Sequence, residues 1–214
     1  YAVIDIASQR ADGSIVEMDM KGTLRTVAVN LPAMYNIYNA AGAAAAICEM
    51  GLSPEDAVNA LAGFQCGFGR MERFELGQAG SRMMLVKNPT GCNQVLEYLE
   101  AIEDRFVLVI CLNDRDPDGT DISWVWDVNF ELLESFGDRI EKIIVSGDRA
   151  LDMYLRIKYA SVPEDRITIE RDYETLVRGL EQEPLPVFLM PTYTAMLELR
   201  QVVIRHCGGA DFWE

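Results

Sequence analysis

The chain has 214 residues, half of them hydrophobic, and sets 19 Lys and Arg against 34 Asp and Glu for a formal net charge of −15. That length allows one large domain or two small ones with a true core, and the apolar fraction excludes a disordered chain. So negative a surface repels phosphate backbones and anionic bilayers, which argues against nucleic acid as a partner.

The cysteines, Cys48, Cys66, Cys92, Cys111 and Cys207, lie far apart with no C-x-x-C pair, and with the single His206 they make no zinc pattern. An unpatterned set suits a reducing compartment, and a cytoplasmic location is expected. No apolar run approaches the ~20 residues of a membrane span. The chain opens without methionine on Tyr1-Ala2-Val3-Ile4-Asp5-Ile6, already strand-like, so it is expected to be a fragment lacking upstream sequence.

In chain order, strand-like stretches at 1–8, 14–20 and 23–29 alternate with turn signals at Asp12-Gly13 and Lys21-Gly22. Leu31-Pro32-Ala33 leads into Met34–Asn39 and an alanine-rich stretch over 40–50, a helix that Gly51 is placed to end. Ser53-Pro54-Glu55-Asp56 predicts a helix over 54–63, with Ser53 as its cap. A glycine-punctuated segment, Gly63–Gly69, then runs into Arg70-Met71-Glu72-Arg73-Phe74, read as the hinge between regions. Beyond it come strand 82–87, helix 91–102, strand 106–112, helix 129–136, strand 140–145, helix 148–159, strand 166–170, helix 172–181, strand 186–190 and helix 192–205. Strands alternating with helices of this length predict right-handed crossovers and a Rossmann-like α/β sheet.

Ligands of such sheets bind beyond the carboxyl ends of the strands. There the apolar run Phe106–Leu112 is followed by a loop carrying Asp116, Asp118, Asp121 and Asp127 with Trp124 and Trp126. Trp124 and Trp126 alternate as in a strand or an extended segment. Ser123 has no local histidine, so the loop cannot complete a hydrolytic triad within the chain. A carboxylate lent to a histidine on another chain needs only an Asp held rigidly.

Lys87-Asn88-Pro89-Thr90-Gly91 opens a helix, where free amides attract anions, although Asn and Pro are also ordinary turn residues. It is not a P-loop. Asn36 and Asn39, three apart at a helix start, could bind a base edge or cap the helix. Arg70 and Arg73 flank Glu72, which suits either phosphate recognition or a hinge ion pair. Thr192-Tyr193-Thr194 lies at the same sheet edge as the acidic loop, with Thr192 at a helix cap. His206 is read as a helix-end dipole partner, not a catalyst.

Leu31–Ala40, Gly69–Phe74, Val86–Gly91, Asp118–Trp124 and Pro191–Ala195 occur in the order found in the MurT family, the Mur-ligase-like synthetase subunit of lipid II isoglutaminyl synthase, which the chain resembles down to Phe212-Trp213-Glu214. The resemblance implies the end of a central Mur ligase (ATPase) domain over 1–75 and a Rossmann-like C-terminal Mur ligase domain over 76–214. It implies an ATP-dependent amidation of the D-glutamate α-carboxylate in the lipid II stem peptide, giving D-isoglutamine. Ammonia would come from a GatD-type glutamine amidotransferase bound as a heterodimer, and membranes would be met only through the lipid-linked substrate. Asn36 and Asn39 then resemble the adenine-contacting helix start, with Tyr35 where those ligases carry histidine. Arg70 resembles the arginine that faces nucleotide phosphates, and Lys87, Asn88 and Thr90 lie in a loop near the acceptor substrate. Asp121 is the first candidate, and Asp127 the second, for the aspartate that completes the glutaminase's Cys–His pair.

The family's lysine loop, Mg2+ ligands and four-cysteine Zn2+ ribbon are absent and expected upstream of Tyr1, so this piece alone is expected not to turn over. Two other readings stand beside this one. A non-catalytic Rossmann-like module could dock a glutaminase, or an amino-acid-adding ligase of the Mur or folylpolyglutamate type could share the fold. The acidic loop argues against the latter, which has no glutaminase to complete.

Overall fold

In the computed structural model, residues 1–10, 13–31, 34–64 and 70–208 are described, without the side chains of Gln9, Arg10 and Arg70. Asp12, Pro32-Ala33, residues 65–69 of the glycine-punctuated segment and the terminal Phe212-Trp213-Glu214 lie outside the described residues. The chain divides into two compact units, Tyr1–Cys66 and Gly67–Glu214.

The first unit is an antiparallel sheet of β1 (Ala2–Arg10), β2 (Gly13–Met20) and β3 (Thr23–Val29), in that order, with helices α1 (Met34–Glu49) and α2 (Pro54–Gly63). Met20 pairs with Thr23 across Lys21 and Gly22, both at positive φ (54° and 81°), the handedness a two-residue hairpin requires. Strict alternation along β2 turns Val16, Met18 and Met20 inward, where they meet Ile37, Ala40, Ala44 and Cys48 of α1. The small side chains of that helix stripe let it pack closely on the sheet. Gly51, at φ 97°, ends α1. Ser53 caps α2 in a reciprocal box: its hydroxyl accepts from the Asp56 amide, and its own amide donates to the Asp56 carboxylate, each at 3.1 Å. Such a box contributes about 1 kcal/mol.

The second unit is a six-stranded sheet in the order β4-β5-β9-β6-β7-β8. Its elements are β4 (Arg70–Phe74), β5 (Ser81–Met84), α3 (Pro89–Glu100), β6 (Phe106–Cys111), α4 (Leu132–Ser135), β7 (Ile140–Ser146), α5 (Ala150–Tyr159), β8 (Ile167–Ile169), α6 (Tyr173–Leu180), β9 (Val187–Pro191) and α7 (Tyr193–Cys207). All neighbours are parallel except β4, which runs antiparallel to β5 at the edge. Every residue of β6 and β9 is buried, as expected of central strands covered on both faces. One face packs Val107, Val109, Val187 and Leu189 against Leu176, Val177, Leu199 and Val203 of α6 and α7. On the sheet, the Phe106 and Phe188 rings meet edge to face at 5.2 Å. Cys48, Cys92 and Cys111 are buried, and burial pushes the Cys92 and Cys111 thiols up to about 12.

Residues 70–74, expected as a hinge closing the first region, form a strand of the second sheet. Met71 and Phe74 are buried there, and Arg200 of α7 grips the Glu72 carboxylate with contacts of 2.8–3.0 Å. A strand that buries two apolar side chains and is pinned by a nearly buried ion pair is a poor pivot. The helix expected over 129–136 shrinks to Leu132–Ser135, because Asn129 and Phe130 are drawn into tight turns; the Phe130 amide donates to Val128 O and the Leu132 amide to Asn129 O.

Gly147 stands at φ 88°, where an added Cβ would meet Leu112 O at 2.6 Å and Asn113 Oδ1 at 2.7 Å. Gly119, at φ 86°, faces open space. Gly147→Ala is therefore expected to cost well over about 1 kcal/mol in urea unfolding, and Gly119→Ala distinctly less.

Candidate functional site

Parallel register brings the ends of β6, β7 and β9 to one edge, with Cys111 opposite both Ser146 and Pro191. The loop after each strand therefore opens on the same side. A single buried residue organises them. The Asn113 backbone N–H donates to Thr192 Oγ1 (2.9 Å), its Nδ2 donates to Thr194 Oγ1 (3.0 Å), and its Oδ1 accepts from the Asp148 amide (2.8 Å). Thr192 does occupy the cap position of α7, but its hydroxyl makes no capping bond. Asp118 performs that task from another loop, accepting from the Thr194 amide at 2.8 Å and from the Thr194 hydroxyl. Arg115 ties the same edge together, donating to Asp148 at 2.7 Å and to Glu198. Neither Asn113 nor Arg115 was singled out by sequence; the signal was their place just past an apolar strand.

Beyond Asp118 the loop does not extend as the tryptophan alternation suggested. Residues Ser123–Trp126 form a 3-10 turn, in which the Val125 amide donates to Ile122 O and the Asp127 amide to Trp124 O. The Asp121 carboxylate accepts the Ser123 N–H at 2.8 Å, starting the turn; that bond, with the Ser123 side chain, holds its carboxyl below the usual range. Asp121 is thus exposed, ionised and fixed through one oxygen. Asp127, at the other end of the turn, is exposed, and its carboxylate makes no hydrogen bond or ion pair among the described residues.

Arg156 of α5 holds this turn from beneath. Its guanidinium, buried, donates to Val125 O (3.1 Å), Val128 O (2.7 Å) and the Glu131 carboxylate (2.9 Å), and lies against the Trp126 and Phe130 rings. The bond from Arg156 holds the Glu131 carboxyl below its usual range. Trp126 stays half exposed, edge to face with Tyr159 at 5.7 Å.

The Lys87–Gly91 turn reaches the same sheet edge, since β5 runs parallel to β9 and the Val86 amide donates to Pro191 O. Asn88 is the cap of α3 and accepts from the Gly91 amide at 2.8 Å. Lys87 and Thr90 are exposed, and Lys87 makes no ion pair among the described residues. With one helix amide already satisfied, the anion-binding character of the turn rests mainly on Lys87.

Asn36 and Asn39 belong to the first unit; Asn36 is buried, while Asn39 is exposed. The Arg70 side chain lies outside the described residues. Among the described residues no group of three or more His, Cys, Asp or Glu converges on a metal position, and no helix is long and apolar enough to cross a membrane.

A cleft of about 330 Å3 near the edge is lined by Arg115, Asp148, Arg171, Tyr173, Glu174 and Glu198. Its ions largely neutralise one another: Arg115 spans Asp148 and Glu198, and Glu174 is held by Arg205 and His206. His206 bridges α7 to Glu174 (2.8 Å) and Glu181 (2.6 Å), and those two bonds raise its pKa.

The mostly parallel sheet with an antiparallel edge strand, its loops gathered at the carboxyl ends, has the fold of the Mur ligase and folylpolyglutamate synthase class. The fold is shared with a UDP-N-acetylmuramoylalanyl-D-glutamyl-2,6-diaminopimelate–D-alanyl-D-alanyl ligase from Acinetobacter baumannii (TM-score 0.67, 16% identity, 95% of this chain and 44% of that one). It is shared too with folylpolyglutamate synthase of Mycobacterium tuberculosis (TM-score 0.70, 14% identity, 98% of this chain and 48% of that one). Identities this low show fold alone. Within that class the chain belongs to the MurT family: the MurT ligase C-terminal model matches residues 85–196. Over 178 residues it is 35% identical to the Staphylococcus aureus (strain COL) lipid II isoglutaminyl synthase (glutamine-hydrolyzing) subunit MurT, covering 83% of this chain and 40% of that protein. The chain thus spans well under half the length of the curated relatives it matches.

Replacing Arg156 by Met should cost about 3 kcal/mol in urea unfolding, because two buried carbonyls lose their donor, and should shift the Trp126 fluorescence. For His206, the raised pKa means that its bridge contributes fully below the ordinary imidazole value near 6.5 and is lost as pH rises through the folded value. An NMR titration should place the imidazole above 6.5, and His206→Gln should remove that part of the pH dependence of stability.

Proposed function

We propose that the chain is the C-terminal part of an ATP-dependent ligase of peptidoglycan synthesis that amidates the α-carboxylate of D-glutamate in the lipid II stem peptide. The observation that carries this reading is the MurT family match, extended by the 178-residue likeness to a glutamine-hydrolysing isoglutaminyl synthase subunit. ATP would supply the phosphoryl group that activates the carboxylate; ammonia then attacks the acyl carbon, and phosphate leaves as the amide forms. The end of the central ATPase domain, expected over 1–75, would stop at the first unit, Tyr1–Cys66, because residues 70–74 are a strand of the second sheet, and the second unit from Gly67 would be the C-terminal domain.

Of the candidate nucleotide contacts, Asn39 fits best, since its exposed amide has both a donor and an acceptor for a base edge. Asn36 would support the helix start from within. Arg70 would face the phosphates, and Lys87, with Asn88 and Thr90 around it, would meet an anionic group of the acceptor. The ligands for Mg2+ and structural Zn2+ are assigned to the rest of the longer protein.

Ammonia would come from a GatD-type glutaminase, to which this chain would lend a carboxylate. Asp121 suits that role better than Asp127. The Ser123 amide fixes one oxygen and the Ser123 side chain helps to hold the carboxyl low, so the exposed group is ionised and already aimed before a histidine arrives. A freely turning carboxylate, such as that of Asp127, must first be ordered.

The test uses the full-length pair. Asp121→Asn should lower glutamine hydrolysis by at least about a hundredfold while amidation supported by added ammonia persists; Asp127→Asn should have the smaller effect. Wild-type glutamine hydrolysis in both variants would falsify the lent carboxylate.

A further inference from the structure

A surface helix ordinarily turns its polar side outward. Helix α5 does not. Leu151, Leu155 and Tyr159, spaced four apart and so on one helical face, are 62%, 45% and 67% exposed, and Trp126, packed on Tyr159, is 51% exposed. An isolated surface leucine needs no explanation, but a stripe of three large side chains joined by a tryptophan does. The inward face of the same helix is well filled by Ala150, Met153, Arg156 and Ile157, so the outward stripe is not a misplaced core.

The charges around the stripe point to its occupant. The cations of α5 and its approach are answered within the chain: Arg149 by Asp114 and Asp152, Arg156 by Glu131, and Lys158 by Glu164. Asp127, next to Trp126, is answered by no group among the described residues. The charge left open at this face is negative, on a chain of net charge −15, so a second copy would be repelled and a partner with an apolar groove and a cationic rim fits.

We propose that the Leu151–Leu155–Tyr159–Trp126 stripe is the docking surface for the glutaminase subunit, an inference that rests on the function proposed above. Arg156 makes the surface useful as well as adhesive. It leaves α5 from the buried side, packs on the Trp126 ring, and bonds the carbonyls of Val125 and Val128, on either side of Trp126 and Asp127. A partner seated on α5 therefore finds the Asp121–Asp127 turn at a set position. Clamping the turn and presenting the stripe are tasks of one ten-residue helix.

The experiment measures the dissociation constant of the full-length synthetase and its glutaminase by sedimentation velocity or calorimetry. Leu155→Glu should weaken the pair by about thirtyfold or more, the effect of losing a central interface anchor, with no fall in the melting temperature because the side chain is exposed. Tyr159→Ser, at the far end of the stripe, guards against a local folding defect and should weaken it as well. Unchanged affinity in both variants overturns the docking surface. So does loss of self-association by the synthetase with the pair intact, which would assign the face to a second copy. Failure of the unaltered chains to pair at all would instead overturn the proposed function beneath it.

Discussion

The carboxyl edge of the second sheet hangs on one buried amide. Asn113 bonds Thr192 and Thr194 with its donors and the Asp148 amide with its acceptor, so three loops leaving three strands share a single anchor. An apolar residue there would keep the backbone bond to Thr192 and leave Thr194 its bond to Asp118, but it would strand the Asp148 amide at a cost of about 1–3 kcal/mol. Because Asp118 joins through Thr194, the start of the acidic loop is fixed by the same network. Everything placed beyond it, including the 3-10 turn of Asp121 and Trp126, depends on this root.

Much of the second unit was legible because parallel sheets write their central strands as unbroken apolar runs. Phe106–Cys111 and Val187–Pro191 are such runs, and both became strands. The Ser53 cap was legible for a different reason: it is a local motif, complete within four residues. What escaped was non-local. Nothing near Glu72 in sequence announces Arg200, yet that pair helps to make a strand of a supposed hinge. The tryptophans at 124 and 126 alternate as strand residues do, but the Asp121 carboxylate at the segment's start and the buried guanidinium of Arg156, about thirty positions on, hold them in a turn.

The candidate site divides in the same way. Residue types capable of the chemistry stood out in the sequence, and the structure sorts them by what already holds them. Asn88 is occupied as a cap, Asp118 as a cap for a distant helix, and Asn36 is inside the first unit's core. Lys87, Asn39 and Asp127 retain open side chains, and Asp121 is exposed though held by Ser123. Composition cannot separate a carboxylate that caps a helix from one that is spare, because the difference lies in a partner far along the chain.

The depth of the thiols has a practical consequence. Cys48, Cys92 and Cys111 lie inside, and burial raises the Cys92 and Cys111 thiols to about 12, far from the thiolate form that electrophiles attack. Cys207, only partly covered, is raised as well. At neutral pH Cys92 and Cys111 are nearly silent toward alkylating reagents. A thiol reagent applied to the folded chain would therefore leave these two positions unlabelled until the second sheet opens, which makes them reporters of its unfolding.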